Sequence, residues 1–281
     1  MDVVGLIAGL GRLPIEVALA AREGGTRVVA IGLHGLTEAS LADEVESFAW
    51  VHVGEVEPMM AHFREAGART LVMAGKVPKT FLWERPDLVK PDARALQALA
   101  GLKDRKDDSL LGAFAGLLVE EGFSLLGQAE LAPALLAEVG ILGSVEPGPE
   151  ELADIEFGWP IAKAIGELDV GQTVVVRGKA VLALEAVEGT DAAVERGCAL
   201  GEPGATVVKV AKPSQDMRFD VPTIGLATVQ ALAKGGARAL AVEAGKTVVL
   251  ERTALLAEAD RHGIAVVGLR NGRLDVGESD R

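Results

Sequence analysis

Short apolar runs rich in Val, Ile and Leu recur at Val3–Ala8, Arg27–Leu33, Trp50–Val53 and Arg69–Ala74. Stretches with helical periodicity, such as Pro14–Glu23 and Pro58–Ala66, separate them. Runs apolar at successive positions suit strands buried on both faces, and their alternation with helices predicts a parallel sheet wrapped by helices. From Asp92 to Glu121 the pattern turns helical. Asp107 and Asp108 are placed to cap the helix SLLGAFAGLLVEE and complement its dipole, and Gly122 stops it.

Pro133, Gly140, Gly143, Pro147, Gly148 and Pro149 then crowd a short span. That composition predicts a linker over 133–149 between an N-terminal domain, 1–132, and a C-terminal domain, 150–281. The second domain opens with a helix over Glu150–Leu168, expected to kink or break at Pro160. A hairpin follows in QTVVVRGKAVLALEAVE, turning at Arg177-Gly178-Lys179. A strand at Thr206–Val210 and a helix, strand, strand, helix, strand series over Leu226–Leu269 complete it. The fold class is α/β, and the hairpin makes the second sheet mixed.

Composition narrows the function. At 281 residues and 49% hydrophobic, the chain is long enough for two cores. A net charge of -13 and a pI near 4.9 oppose nucleic-acid binding, and no basic stripe compensates. One cysteine, Cys198, and four histidines, His34, His52, His62 and His262, offer no intramolecular disulfide and no zinc spacing, which fits a reducing cytoplasm. The histidines also lack a Ser or Cys partner motif, so no nucleophilic triad is visible. The start, MDVVGLIAGLGRLP, has no basic n-region and reads as a first strand. The longest apolar candidate, Leu110–Val119, is half of the roughly 20 residues a bilayer demands. With no Tyr, seven Phe and three Trp, stacking platforms are scarce.

Four segments carry candidate chemistry. Gly9-Leu10-Gly11-Arg12-Leu13-Pro14 lies where the first strand turns into the first helix, a place where backbone amides can meet phosphate. Pro14 stands where the dinucleotide fingerprint wants glycine, and Leu33-His34 supplies no acidic residue after the second strand, so NAD binding is disfavoured. A phosphate loop and a plain tight turn both remain. Gly75 and Lys76 follow the fourth strand and belong to the same sheet edge, with Lys76 either a phosphate partner or a solvated surface charge. Glu188-Gly189-Thr190-Asp191 is expected to end a strand and cap a helix. Last, Lys209–Gly225, KVAKPSQDMRFDVPTIG, gathers Lys209, Lys212, Gln215, Asp216, Arg218 and Asp220 and carries Pro213 and Pro222, so it reads as a shaped loop. Carboxylates with lysines at a helix N-terminus suit metal-assisted phosphoryl chemistry, though the spacing alone is no metal signature. Asp104, Asp154, Asp169 and the acidic residues of Glu146–Glu156 read as solvated helix faces or caps.

GLIAGLGRLP, AGKVPK, DDSLL, LDVGQTVVV, LALEAVEGTDA and KVAKPSQDMRFDVPTIG, taken in order along nearly the whole chain, resemble the LpxI family of UDP-2,3-diacylglucosamine pyrophosphatases. The resemblance implies a Rossmann-like N-terminal domain, a distinct C-terminal α/β catalytic domain and substrate between them. It implies a cytoplasmic enzyme of lipid A biosynthesis, peripheral to the inner membrane at most, that uses Mg²⁺ to hydrolyse UDP-2,3-diacylglucosamine to UMP and 2,3-diacylglucosamine 1-phosphate. Water attacks the phosphorus on the sugar side in that family. Asp220 corresponds to the aspartate that the family needs, with Gln215 and Asp191 as further catalytic candidates and Asp220 and Asp191 as candidate metal ligands. Substrate contacts are expected from Gly9, Leu10, Gly11, Arg12, Gly75, Lys76, Gly122, Glu188, Gly189, Thr190, Lys209, Lys212, Arg218 and Thr223. A homodimer is compatible with this picture. The rival readings are a non-enzymatic nucleotide-sugar or lipid-binding protein and a Rossmann-type oxidoreductase.

Overall fold

After its first residue, every position of β1 (Val3–Ala8) is buried, as a central parallel strand requires. In the computed structural model, which describes residues 3–78, 80–100, 107–201, 203–213 and 215–274, with only the backbone of 99, 107–110 and 201, the chain forms two compact units. They comprise Met1–Ala134 and Leu135–Arg281. Asp104, Lys79, Ser214 and the capping side chains of Asp107 and Asp108 lie outside the described residues.

The first unit runs β1, α1 (Leu13–Glu23), β2 (Arg27–Leu33), β3 (Ser47–Val51), α2 (Val56–Glu65), β4 (Thr70–Ala74), α3 (Phe81–Glu84), α4 (Ala93–Ala100), α5 (Asp107–Glu120), β5 (Ser124–Leu125) and α6 (Gln128–Leu131). Its strands pair in the order β3-β2-β1-β4-β5, all parallel. The third strand lies a few residues earlier than the apolar run Trp50–Val53 suggests. As an edge strand it is only partly buried, so its apolar residues end rather than define it. Val29, Ile31, Val51, Met60, Phe63, Leu71 and Leu118 fill one core of this unit.

The second unit contains β6 (Gly140–Ile141), α7 (Pro149–Glu167), β7 (Thr173–Arg177), β8 (Ala180–Leu184), α8 (Thr190–Gly201), β9 (Thr206–Lys209), β10 (Thr223–Ile224), α9 (Leu226–Lys234), β11 (Ala239–Glu243), β12 (Val248–Val249), α10 (Arg252–Arg261) and β13 (Ala265–Leu269). Its main sheet has the order β6-β13-β11-β9-β7-β8 and is mixed: β9, β11 and β13 are parallel, whereas β7 is antiparallel to both β9 and β8. The segment 133–149 includes β6, which pairs with β13. Strand alternation sorts the two cores. Val174, Val176 and Val208 pack with Ile155 and Trp159 of α7, while Val175 and Val207 pack with Val194, Leu232 and Leu255 of the opposite helices.

α7 continues through Pro160 as one element, so of the kink or break expected there the break does not occur. Pro160 is exposed, so the Glu156 carbonyl that loses its helical donor can turn to water. Asp154 also departs from expectation. It is 3% exposed, and its two oxygens accept the amides of Gly178 (2.9 Å) and Lys179 (2.6 Å) in the β7–β8 turn. Both turn residues have positive φ, 57° and 58°, the conformation that matches the twist of a two-residue hairpin. The carboxylate is therefore a buried clamp on a strained turn, with no solvated role.

Candidate active site

Because β8 runs antiparallel to β7, and β7 antiparallel to β9, β8 points the same way as β9, β11 and β13. Their carboxyl ends share one edge, and the segments after Leu184, Lys209 and Glu243 leave from it. Ligand sites of α/β sheets form on such an edge.

The described residues between Val210 and Pro222 form a loop with turns, as its prolines predict. Gln215 organises it. Its Oε1 accepts the Lys212 amide at 3.0 Å, and its Nε2 donates to Asp220 Oδ2 at 2.6 Å. The Phe219 and Asp220 amides both return to the Asp216 carbonyl at 3.1 Å. Asp220 itself is exposed, with one carboxylate oxygen engaged by Gln215. Arg218 does not point an unpaired charge outward. It grips Asp216 through two side-chain bonds, 3.0 and 2.7 Å, and stacks 4.8 Å over Phe219. The Arg218 guanidinium holds the Asp216 carboxyl below its usual range, and Asp216 in turn raises Arg218.

Lys209, the last residue of β9, is 6% exposed. Its Nζ donates to Thr190 Oγ1 (3.0 Å) and to the Thr223 carbonyl (2.9 Å), joining the two most distinctive motifs of the sequence. The Thr190 hydroxyl donates onward to Glu185 Oε1 at 3.0 Å, and Glu185 Oε2 accepts the Gln172 amide at 3.3 Å. The hydroxyl that looked like a helix cap is thus committed to an ion-anchored chain. Glu185 escaped the sequence reading. The signal was the period of two, which sets it on the buried face with Ala183.

Other candidates are more dispersed. β8 ends at Leu184, before the EGTDA motif, and Gly189 takes φ 83° just ahead of α8. Glu188 is engaged by Arg196 at 2.5 Å, which holds its carboxyl below the usual range. Asp191 is exposed on the first turn of α8. Lys212 pairs with Asp169 at 2.6 Å, so that aspartate has a partner in the loop. Thr223 Oγ1 donates to the Val221 carbonyl at 2.9 Å.

In the first unit, the strand order reverses between β1 and β4, and both candidate loops leave there. They are zipped together. Gly9 N donates to the Ala74 carbonyl (2.8 Å), Leu10 N to the Lys76 carbonyl (2.8 Å) and Lys76 N to the Leu10 carbonyl (3.0 Å). Two of the amides expected to face phosphate, those of Gly9 and Leu10, are therefore spent on neighbouring backbone. The approach needs glycine: a Cβ at Gly9 would stand 2.7 Å from the Lys76 carbonyl oxygen, and Gly75 holds φ 89°. Among the described residues, no backbone carbonyl takes the amides of Gly11 and Arg12. The Arg12 side chain pairs with Glu16 at 3.3 Å, Lys76 is exposed, and Gly122 holds φ 87° where α5 ends.

Among the described residues no three His, Cys, Asp or Glu side chains converge as a metal cage. Mg²⁺ asks for less, since it keeps several waters and takes one or two carboxylates plus substrate phosphates. An exposed Asp220 with one oxygen engaged fits that modest demand. The Cys198 thiol is buried, and desolvation pushes its pKa up, so it is no nucleophile. Among the described residues no helix is long and apolar enough to cross a membrane.

A family model for the LpxI N-terminal domain matches residues 3–135, and one for the LpxI C-terminal domain matches 138–267. The chain is 36% identical over 282 residues to a protein of Caulobacter vibrioides named UDP-2,3-diacylglucosamine pyrophosphatase LpxI, covering 96% of this chain and 98% of that one. A structure of glycinamide-RNase-transformylase T from Mycobacterium tuberculosis aligns with 66% of this chain and 44% of that one at 17% identity and a TM-score of 0.24, too weak to carry an argument. With both domain models matched in order, a relative 36% identical over nearly the whole chain, and the Lys209–Thr190 contact tying together two of the motifs that carry the resemblance, the chain belongs to the LpxI family.

Proposed function

We propose that this protein hydrolyses the pyrophosphate of UDP-2,3-diacylglucosamine, releasing UMP and 2,3-diacylglucosamine 1-phosphate, with Mg²⁺ as its cofactor. The name of the Caulobacter vibrioides relative supports the substrate. The observation that carries the reading is the Gln215–Asp220 contact, which fixes an exposed carboxylate on the carboxyl edge of the second sheet.

Hydrolysis joins a water oxygen to the sugar-side phosphorus, breaks the bond from that phosphorus to the bridging oxygen and leaves the electron pair on UMP. A proton must depart from the attacking water, and in this reading Asp220 takes it. Gln215 orients Asp220 for that task. Lys209 and Lys212 supply positive charge near developing phosphate charge, each already oriented by a partner. Asp220 and Asp191 would hold Mg²⁺, which, when bound, neutralises phosphate oxygens. The acyl chains of such a substrate bring the protein transiently to the inner face of a membrane.

Purified protein incubated with UDP-2,3-diacylglucosamine and Mg²⁺ is expected to release UMP, and EDTA is expected to stop the release. Tight substrate binding with no UMP would replace this reading with that of a non-enzymatic binding protein. Undiminished release in EDTA would remove Mg²⁺ from it.

A further inference from the structure

A second constellation lies at the root of the Lys209–Gly225 loop. Glu243 ends β11 and is 5% exposed, although strand ends at a sheet edge can easily face water. Its Oε2 accepts Lys163 Nζ of α7 at 2.5 Å and the buried Ala211 amide at 2.9 Å. Lys163 Nζ donates a second bond, 2.9 Å, to the Ala211 carbonyl. One ion pair thus holds both polar groups of a single residue, directly before Lys212.

The packing around it is equally close. A Cβ on Gly166 of α7 would stand 3.3 Å from Lys212 Cα and 3.4 Å from Pro213 Cδ, so the helix backbone lies against the loop. Lys246 pairs with the other Glu243 oxygen at 3.0 Å. Burial alone would raise the Glu243 pKa, but Lys163, Lys246 and the Ala211 amide outweigh it and leave the carboxyl below its usual range.

From this arrangement we infer that Lys163 and Glu243 are positioning residues that set the origin of the catalytic loop, and with it the placement of Gln215 and Asp220. The inference rests on the proposed hydrolysis for its kinetic readout. A buried ion pair is a weak source of net stability, because desolvation offsets its attraction. What this pair supplies that apolar packing could not is directional bonding to Ala211 N and O. Misplacing a catalytic group by about 1 Å costs on the order of 100-fold in rate.

The test compares Lys163→Met and Glu243→Gln with Asp154→Ala, which weakens the same unit at the hairpin turn. All are assayed on the full chain at a temperature where each is folded. Both loop-root variants are expected to lose about 10- to 100-fold in kcat with KM changed by no more than about threefold, while Asp154→Ala keeps its kcat. Hydrogen exchange of the amides in 211–222 should quicken in the first two and not in the third. Should neither loop-root variant fold, Lys163→Arg carries the test: it keeps the charge, shifts the donor, and is expected to keep Tm and lose several-fold in kcat. Normal kcat in a folded loop-root variant, or an equal loss in Asp154→Ala, overturns the inference. Wild-type protein that releases no UMP would refute the proposed hydrolysis instead, and the exchange comparison would still decide the positioning role.

Discussion

The Gln215 amide nitrogen lies 2.6 Å from Asp220 Oδ2, and the oxygen of the same amide accepts the Lys212 backbone at 3.0 Å. One neutral side chain therefore spans the loop and aims its exposed carboxylate. Neither partner is buried in a core, so both can be altered without opening a cavity.

Asp220→Ala is expected to lower kcat by about 10²–10⁴-fold, the usual share of a positioned acid or base, and to leave the melting curve in place. Gln215→Ala keeps the carboxylate but frees its rotamer, so a loss of about tenfold is expected. UMP release and circular dichroism melts, measured side by side, check both. Asp220→Ala with near-normal turnover would remove Asp220 from the chemistry.

Thr190→Val keeps the shape and deletes the hydroxyl between Lys209 and Glu185. Each of those nearly buried charges loses a partner, at a cost of about 1–3 kcal/mol. Urea denaturation should show the lower midpoint with an unchanged slope. Thr190→Ser, which restores the hydroxyl, should recover most of it, and equal loss in both variants would point to packing instead.

Glu243 gives a pH dependence of definite sign. Its folded carboxyl lies below the unfolded range, so the unfolded chain takes up the proton first as pH falls. The stability it contributes is complete above the unfolded carboxylate pKa and is lost as pH drops through the lower folded value. Thermal melts of wild type and Glu243→Gln should accordingly differ most near neutrality and converge in acid. A gap that widened toward low pH would contradict the sign.

Much of this was legible in the chain. Strands such as Val3–Ala8 and Arg27–Leu33 announced themselves because central parallel strands are near-continuous apolar runs, and two prolines marked the loop around Asp220. Partner choice was not legible. Lys209 finding Thr190 and Lys212 finding Asp169 are contacts across the fold that no local spacing encodes. The same holds for Lys163 and Glu243, which are 80 positions apart. The Gly9 loop is ambiguous for a different reason: its glycines permit close approach to Lys76 and Gly75, and a strand-end glycine serves that purpose as readily as phosphate binding.

Asp154 is the place where a surface-looking acid should matter most for stability. Its carboxylate accepts two amides from a turn in which a lysine, Lys179, holds φ 58°. A non-glycine residue in that region costs about 1–2 kcal/mol, and a hydrogen bond to a charged group returns about 1.5–3. Asp154→Ala removes both bonds and leaves the strain, so a loss of about 3 kcal/mol is expected in denaturant titration. Lys179→Gly in that background should recover about 1 kcal/mol, because glycine adopts the turn conformation without strain. If Lys179→Gly gave nothing back, the turn would not be the element Asp154 supports.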